Sequence, residues 1–476
     1  MNRILPFKLT AAIIFFTFFS CSKDSDGPII AEVTVTTSDF SKTMDENPTN
    51  AQVIGIVSAS TNEGSVTFSI TEQTPSGAYT IDAISGELKV ADETLFDFET
   101  NPTITGIIKV ANGTVSENAL VTVTLNDLVE DNIYEGDVIL KSQQEVDDFG
   151  ANNYTQINGF LIIGKRENEG YSDITDLTAL QSTKIINGIF QIKNNAVLAT
   201  TNGLNLDFIL GLFEISNNSS LESVIGLNNI TSLSSLSIVA NNSLTDLSGL
   251  SQIVEIQHIL GIGFCPEIIN LDWANNIISV EAIGISNCHA LTNIDGLSNL
   301  TNINLGYNHI SISENNSLQN LNGLQNLNDT LIFLEIRSNP SLKNINGLAN
   351  TNYIRNIIIN NNDSLENLDG LTSVTSLGQG GLSITYNNTL RNIEGLINLD
   401  HVDGYIGITG NENLISLNGL ESLSHIEGIG ITENTNLIDF CSLINVLTID
   451  PNTNYQTYNN AYNPTKQDII DGNCSL

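Results

Sequence analysis

The chain has 476 residues, too many for one compact core, so more than one domain is expected. It carries 53 acidic and 16 basic residues, a formal net charge of −37, and only 14% of its residues are charged. Nucleic acid and anionic lipid repel such a chain, which excludes the DNA- and RNA-binding classes and leaves solubility or divalent-cation binding as uses for the acids. Abundant Asn, Ser and Thr suit a secreted, repetitive β structure better than a helical cytosolic enzyme.

Residues 1–20 predict a secretory signal. Arg3 and Lys8 make a positive start, and residues 9–19 form an apolar run too short to span a bilayer. Ser20 directly before Cys21 resembles the lipobox of bacterial lipoprotein signals. That resemblance implies a lipid on the Cys21 thiol and a membrane reached through that anchor alone. The alternative is a soluble secreted protein with an ordinary cleavage site. Residues 21–28 read as an acidic, flexible tether, similar to the short tags that route some Gram-negative lipoproteins to the outer face of the cell.

Residues 29–129 alternate apolar and polar with period two, as in 66–70, 104–110 and 119–125. Turn pairs such as Ser85-Gly86 and Asn112-Gly113 separate the runs, which predicts a β-sandwich. Asp45-Glu46-Asn47-Pro48, Tyr79-Thr80-Ile81-Asp82, Ser85-Gly86-Glu87-Leu88, Phe96-Asp97-Phe98-Glu99 and Leu125-Asn126-Asp127 follow in the order and spacing of a cadherin repeat, which this segment resembles. The resemblance implies calcium as a cofactor, with Glu46, Asp97, Glu99, Asp127 and the Asn126 backbone as ligands. Thr124 and Leu128 stand where that family's linker carries Asp and Asn, and Thr61 and Asn112 stand where Asp is usual. Half of the family's cage is thus missing, and solvated acids on a sandwich end are the plain alternative.

Residues 171–443 carry an internal repeat. A column of Asn195, Asn218, Asn241, Cys265, Cys288, Asn315, Asn339, Asn362, Asn387, Asn411 and Asn434 recurs at steps of 23, 23, 24, 23, 27, 24, 23, 25, 24 and 23 residues. Ile stands three places before every mark, from Ile192 to Ile431, and a second large apolar residue stands five places before. Two apolar residues with one between them define a short strand with a buried face. One turn cannot bury that face alone, whereas a stack can. The Asn amides should satisfy backbone groups in a sharp turn and stack as a ladder. The pattern resembles leucine-rich repeats. Stretches such as Ile186-Asn187-Gly188-Ile189-Phe190-Gln191-Ile192 are similar to the receptor L-domain variety. The fold expected is therefore mainly β: a cadherin-like sandwich followed by a right-handed leucine-rich-repeat-type β-solenoid. Residues 130–170 would cap it at the start and 444–476 at the end.

Cys265 and Cys288 occupy the ladder one turn apart, so a cross-turn disulfide and two buried thiols both stay open. Cys441 and Cys474 flank the final cap and are expected to bridge. The five histidines, His258, His289, His309, His401 and His425, fall on separate turns and form no HExxH-like motif. No GxSxG or P-loop occurs. A glycosidase would need acids on the strand face, and the middle turns carry Gly, Ser, Thr and Asn there; Glu214 and the pair Glu335 and Arg337 break the neutral run.

The expectation is a non-catalytic surface lipoprotein that recognises protein or cell-surface partners through Gln191, Lys193, Glu214, Glu335, Arg337, Asn360, Thr385, Thr409 and Thr432. The rivals are polysaccharide capture for a nutrient-uptake system and a structural spacer. Sugar capture favours exposed aromatics; none falls on these strand positions, and Trp273, the sole tryptophan, sits at a turn corner.

Overall fold

A computed structural model describes residues 32–128, 132–303, 308–328, 330–450 and 452–476. Cys21 and the signal and tether assigned to residues 1–28 lie outside the described residues. The protein is mainly β and divides into two units, Met1–Glu130 and Asp131–Leu476.

In the first unit a four-stranded sheet joins Phe40–Asp45, Val115–Asn126, Thr103–Asn112 and Thr67–Thr74. A three-stranded sheet joins Val53–Ile56, Glu87–Val90 and Tyr79–Ile81, and Val35–Thr37 pairs with Ala59–Thr61. Alternation places Ile104, Ile108 and Val110 from one sheet and Tyr79, Leu88 and Val90 from another in one buried cluster. The outermost pairing is parallel: Phe40–Asp45 runs beside Val115–Asn126, with Asp45 opposite Asn126. The residues that follow those two strands, Glu46 and Asp127, therefore leave the sheet at the same end.

The second unit is built on one parallel sheet of fourteen strands, from Val138–Leu140 to Asn454–Tyr458. Each coil of chain adds one strand, in register with the last; Ile192 faces Ile215 and Ile215 faces Ile238. The Leu and Ile columns are buried throughout and form one continuous cluster. Two strands of this sheet, Val138–Leu140 and Leu161–Gly164, lie within 130–170, so the segment expected as a cap already belongs to the stack, with helix Gln143–Gly150 beside it. At the far end Asn454–Tyr458 pairs with His425–Thr432. Cys441 and Cys474 form a disulfide there.

The ladder has a definite hydrogen-bond pattern. From Asn218 onward each Asn side-chain carbonyl accepts the backbone N–H of the ladder residue one coil earlier, at 2.9–3.1 Å, and that of Asn195 accepts the Ser172 hydroxyl. Each amide donates to an Ile carbonyl of the preceding coil at 2.8–3.1 Å. The column runs one mark further than the repeat pattern indicates, because Asn460 accepts from Asn434. Cys265 and Cys288 are buried free thiols, which corrects the disulfide alternative. Their sulfurs hydrogen-bond to the carbonyls of Gly263 and Ser286. Burial, with Cys265 beside it, pushes the Cys288 thiol up to about 12, and burial also raises that of Cys265.

Candidate functional site

Among the described residues, two groups of His, Asp and Glu bring ligand atoms within 4.8 Å of one another: Glu46, Glu99 and Asp127, and His401, Asp403 and His425.

The first group sits at one end of the first unit. Glu46 is 2% exposed, and its two carboxylate oxygens accept the backbone N–H groups of Phe98 and Leu128, each at 2.6 Å. Those bonds fix its carboxylate between the 96–99 turn and the end of the last strand. A hydrogen bond to its own backbone lowers the Glu99 pKa, but desolvation and the Glu46, Asp97 and Asp127 carboxylates outweigh it, and the net shift is upward. A cation placed among these acids would relieve that repulsion. They are hard oxygen donors suited to calcium, which takes six to eight ligands. Since each Glu46 oxygen already holds an N–H, waters would have to complete the shell.

The ligand set expected from sequence is narrower in the structure. Asp97 turns its carboxylate to Thr100, whose hydroxyl and N–H donate at 2.8 and 3.2 Å. That capping, the hydroxyl foremost, holds its carboxyl below the usual range. The Asn126 carbonyl already accepts from Glu46 N–H at 3.4 Å, and its amide donates to Asp45. Asn112 and Thr61, where Asp was wanted, hydrogen-bond each other at 3.0 Å.

The expected binding residues do lie along the strand face of the second unit, and several are tied together across coils. Gln191 donates to Glu214, and Glu214 accepts from Ser216. Glu335 accepts from Ser311 at 2.9 Å and pairs with Arg337 at 2.6 Å. Asn360 donates to Thr385, and Thr409 meets Thr432 at 2.9 Å. Lys193 stands beside Ser216 in the register. Thr432 is only 8% exposed, which removes it from the accessible face; it lies in register between Thr409 and Tyr458.

Three features escaped sequence reasoning. The first is a column of left-handed residues directly before the ladder, from Asn194 through Phe264 and Tyr386 to Asn459, with φ between 52° and 69°. From Asn194 to Glu433 each of their N–H groups donates to a strand-end carbonyl one coil on, as Tyr386 does to Thr409 at 2.9 Å. Doubled asparagines such as Asn194-Asn195 and Asn361-Asn362 were its signal, since Asn tolerates this conformation. The second is aromatic exposure at that corner. Phe264 is 54% and Tyr386 46% exposed, and Tyr458 on the last strand is 52% exposed, so the neighbourhood of the face is not free of aromatics. Phe264 edges a shallow cavity of about 230 Å³ floored by Gly261 and Gly284 and lined by Ser286, Ser311 and Ser313. Trp273, by contrast, is buried in the turn Asp272–Asn276. The third is the histidine pair. His401 and His425 read as scattered, yet their 24-residue separation is one coil, and the register sets them side by side.

No protein-family model matches the chain, and no curated protein matches it. Solved structures similar to it include protocadherin gamma B2 extracellular cadherin domains 3–6, at 20% identity over 21% of this chain and 23% of that one, TM-score 0.19. The human desmocollin-1 ectodomain is similar at 18% identity over 21% of this chain and 22% of that one, TM-score 0.18. The chain therefore spans less than a quarter of the length of either. Similarity this low carries no argument for fold or partner.

Proposed function

We propose that the protein is a non-catalytic surface lipoprotein, anchored through Cys21, that uses the strand face of its second unit to recognise protein or cell-surface partners. The observation that carries this reading is the face itself. It is one sheet of fourteen parallel strands whose polar side chains are held by cross-coil hydrogen bonds such as Gln191–Glu214 and Ser311–Glu335. Side chains ordered before contact lose little entropy on binding. The repeat is read as the leucine-rich type, right-handed as parallel crossovers are. The first unit is read as a cadherin-like sandwich with an open, partly hydrated calcium site at Glu46, Glu99 and Asp127.

A second reading, polysaccharide capture, is favoured by the Phe264 cavity, where an exposed ring beside three serine hydroxyls suits a sugar. Binding of the full chain to whole cells, run beside a glycan array, separates the two. Protease-sensitive cell binding that weakens in the double variant Glu335→Ala, Arg337→Ala supports surface recognition. Glycan binding lost in Phe264→Ala supports the rival, and binding indifferent to both sets sinks the strand-face assignment. Cys21→Ser should move the protein from the membrane fraction to the soluble one; full retention after a high-salt wash overturns the anchor.

A further inference from the structure

We propose that His401, Asp403 and His425 form a binding site for a divalent transition-metal ion of the zinc class. The site arises from the repeat. His401 and His425 are register partners on neighbouring parallel strands, and their rings stack with centroids 4.5 Å apart and planes 20° apart. Asp403 stands two residues after His401, on the same side of its strand, with its carboxylate 2.8 Å from His401 Nε2. Ligand atoms of all three fall within 4.8 Å of one another. The next coil repeats the pattern: exposed Glu427 follows His425 at the same interval, and the Asp450 carboxylate lies 4.0 Å from His425 Nδ1.

The donor set suits a metal, since imidazole binds one through a ring nitrogen. Two imidazoles and one carboxylate form a three-ligand set of the kind that leaves zinc an open fourth position. At metal–ligand bonds of about 2.0–2.1 Å, tetrahedral ligand atoms lie roughly 3.3 Å apart. The side chains are 45%, 54% and 43% exposed, so they have room to close that gap by rotation with the strands fixed. Nitrogen donors separate this site from the all-oxygen group at Glu46, because calcium prefers oxygen and imidazole suits zinc, copper and nickel. A formal charge of −37 adds a long-range attraction for any cation.

The test uses the full chain and two probes, cobalt(II) for its visible spectrum and zinc(II) by calorimetry. The expected result is one nitrogen-ligated cobalt per chain, displaced by zinc. His401→Ala, His425→Ala and the milder Asp403→Asn should each weaken zinc by about tenfold or more. His258→Ala should bind as the wild type does, and unchanged circular dichroism shows that the variants fold. As a check independent of substitution, zinc should protect His401 and His425 of the unaltered chain from diethylpyrocarbonate. Zinc affinity unchanged in both histidine variants, a wild-type chain that binds neither ion, or carbethoxylation of the pair indifferent to zinc overturns the proposal.

Discussion

Asn362 and Asn360 have the same side chain, two residues apart, and opposite situations. Asn362 is fully buried; it donates to the carbonyls of Ile336 and Asn360 and accepts the backbone N–H of Asn339. Asn362→Ala takes these partners from the Asn339 N–H and the Ile336 carbonyl, while the Asn360 carbonyl keeps the Ser338 N–H. At about 1–3 kcal/mol for each buried group deprived of its partner, denaturant unfolding should report a loss above roughly 2 kcal/mol. Asn360 is half-buried on the face and donates to the Thr385 hydroxyl, a bond that water can replace. Asn360→Ala should cost under about 1 kcal/mol. Equal losses would put the buried and exposed columns in the wrong register. At this scale the ladder was legible because period and chemistry coincide: a polar residue recurring inside an apolar pattern must be satisfied by its own copies. The corner aromatics were not legible, since nothing in a lone Phe264 or Tyr386 says that its backbone is left-handed and its ring pushed outward.

The coil has a second determinant, the close approach of successive turns. Six turns, from Ser248–Leu250 to Glu394–Leu396, carry a central glycine, and the next coil's glycine sits against the backbone of the last. A Cβ on Gly347 would fall 1.8 Å from the Leu321 carbonyl oxygen. Asn side chains hold these turns, as Asn293 does by accepting from Asp295 N–H at 3.1 Å. Gly347→Ala should therefore cost about 1–3 kcal/mol or more by wedging two coils apart. On the strand face a Cβ on Gly407 would meet nothing within 4 Å, and Gly407→Ala should lie within about 0.5 kcal/mol of the wild type. Thermal melts of the two variants, made in the full chain, compare them directly; a milder effect at Gly347 would mean that the turns stack further apart than described. Element existence and period could be read from the Leu, Ile and Asn spacing. The merging of two short strands into one long strand per coil from Leu331 onward could not, because it depends on how neighbouring turns pair.

For the whole molecule, the division into two units predicts two responses to calcium. If Glu46, Glu99 and Asp127 hold the ion, millimolar calcium should raise the melting transition of the first unit by linkage and leave that of the second unmoved. Calorimetry of the full chain with calcium and with chelator measures both. The shift should fade on acidification while ordinary carboxylates are still ionised, because Glu99 has a raised pKa and takes up a proton first. A first transition blind to calcium at neutral pH would reduce the group to solvated acids. The two ladder thiols bear on the second unit in another way. A stack whose parts touch only their neighbours behaves as a row of coupled spins, with the boundary between folded and unfolded blocks settling where the coupling is weakest. Amide meets amide from Asn195 to Asn241 and again from Asn315 to Asn460, but sulfur, a poor acceptor, replaces oxygen at Cys265 and Cys288. A solenoid pulled from its ends would then part at the thiol coils, as two blocks separated by a domain wall.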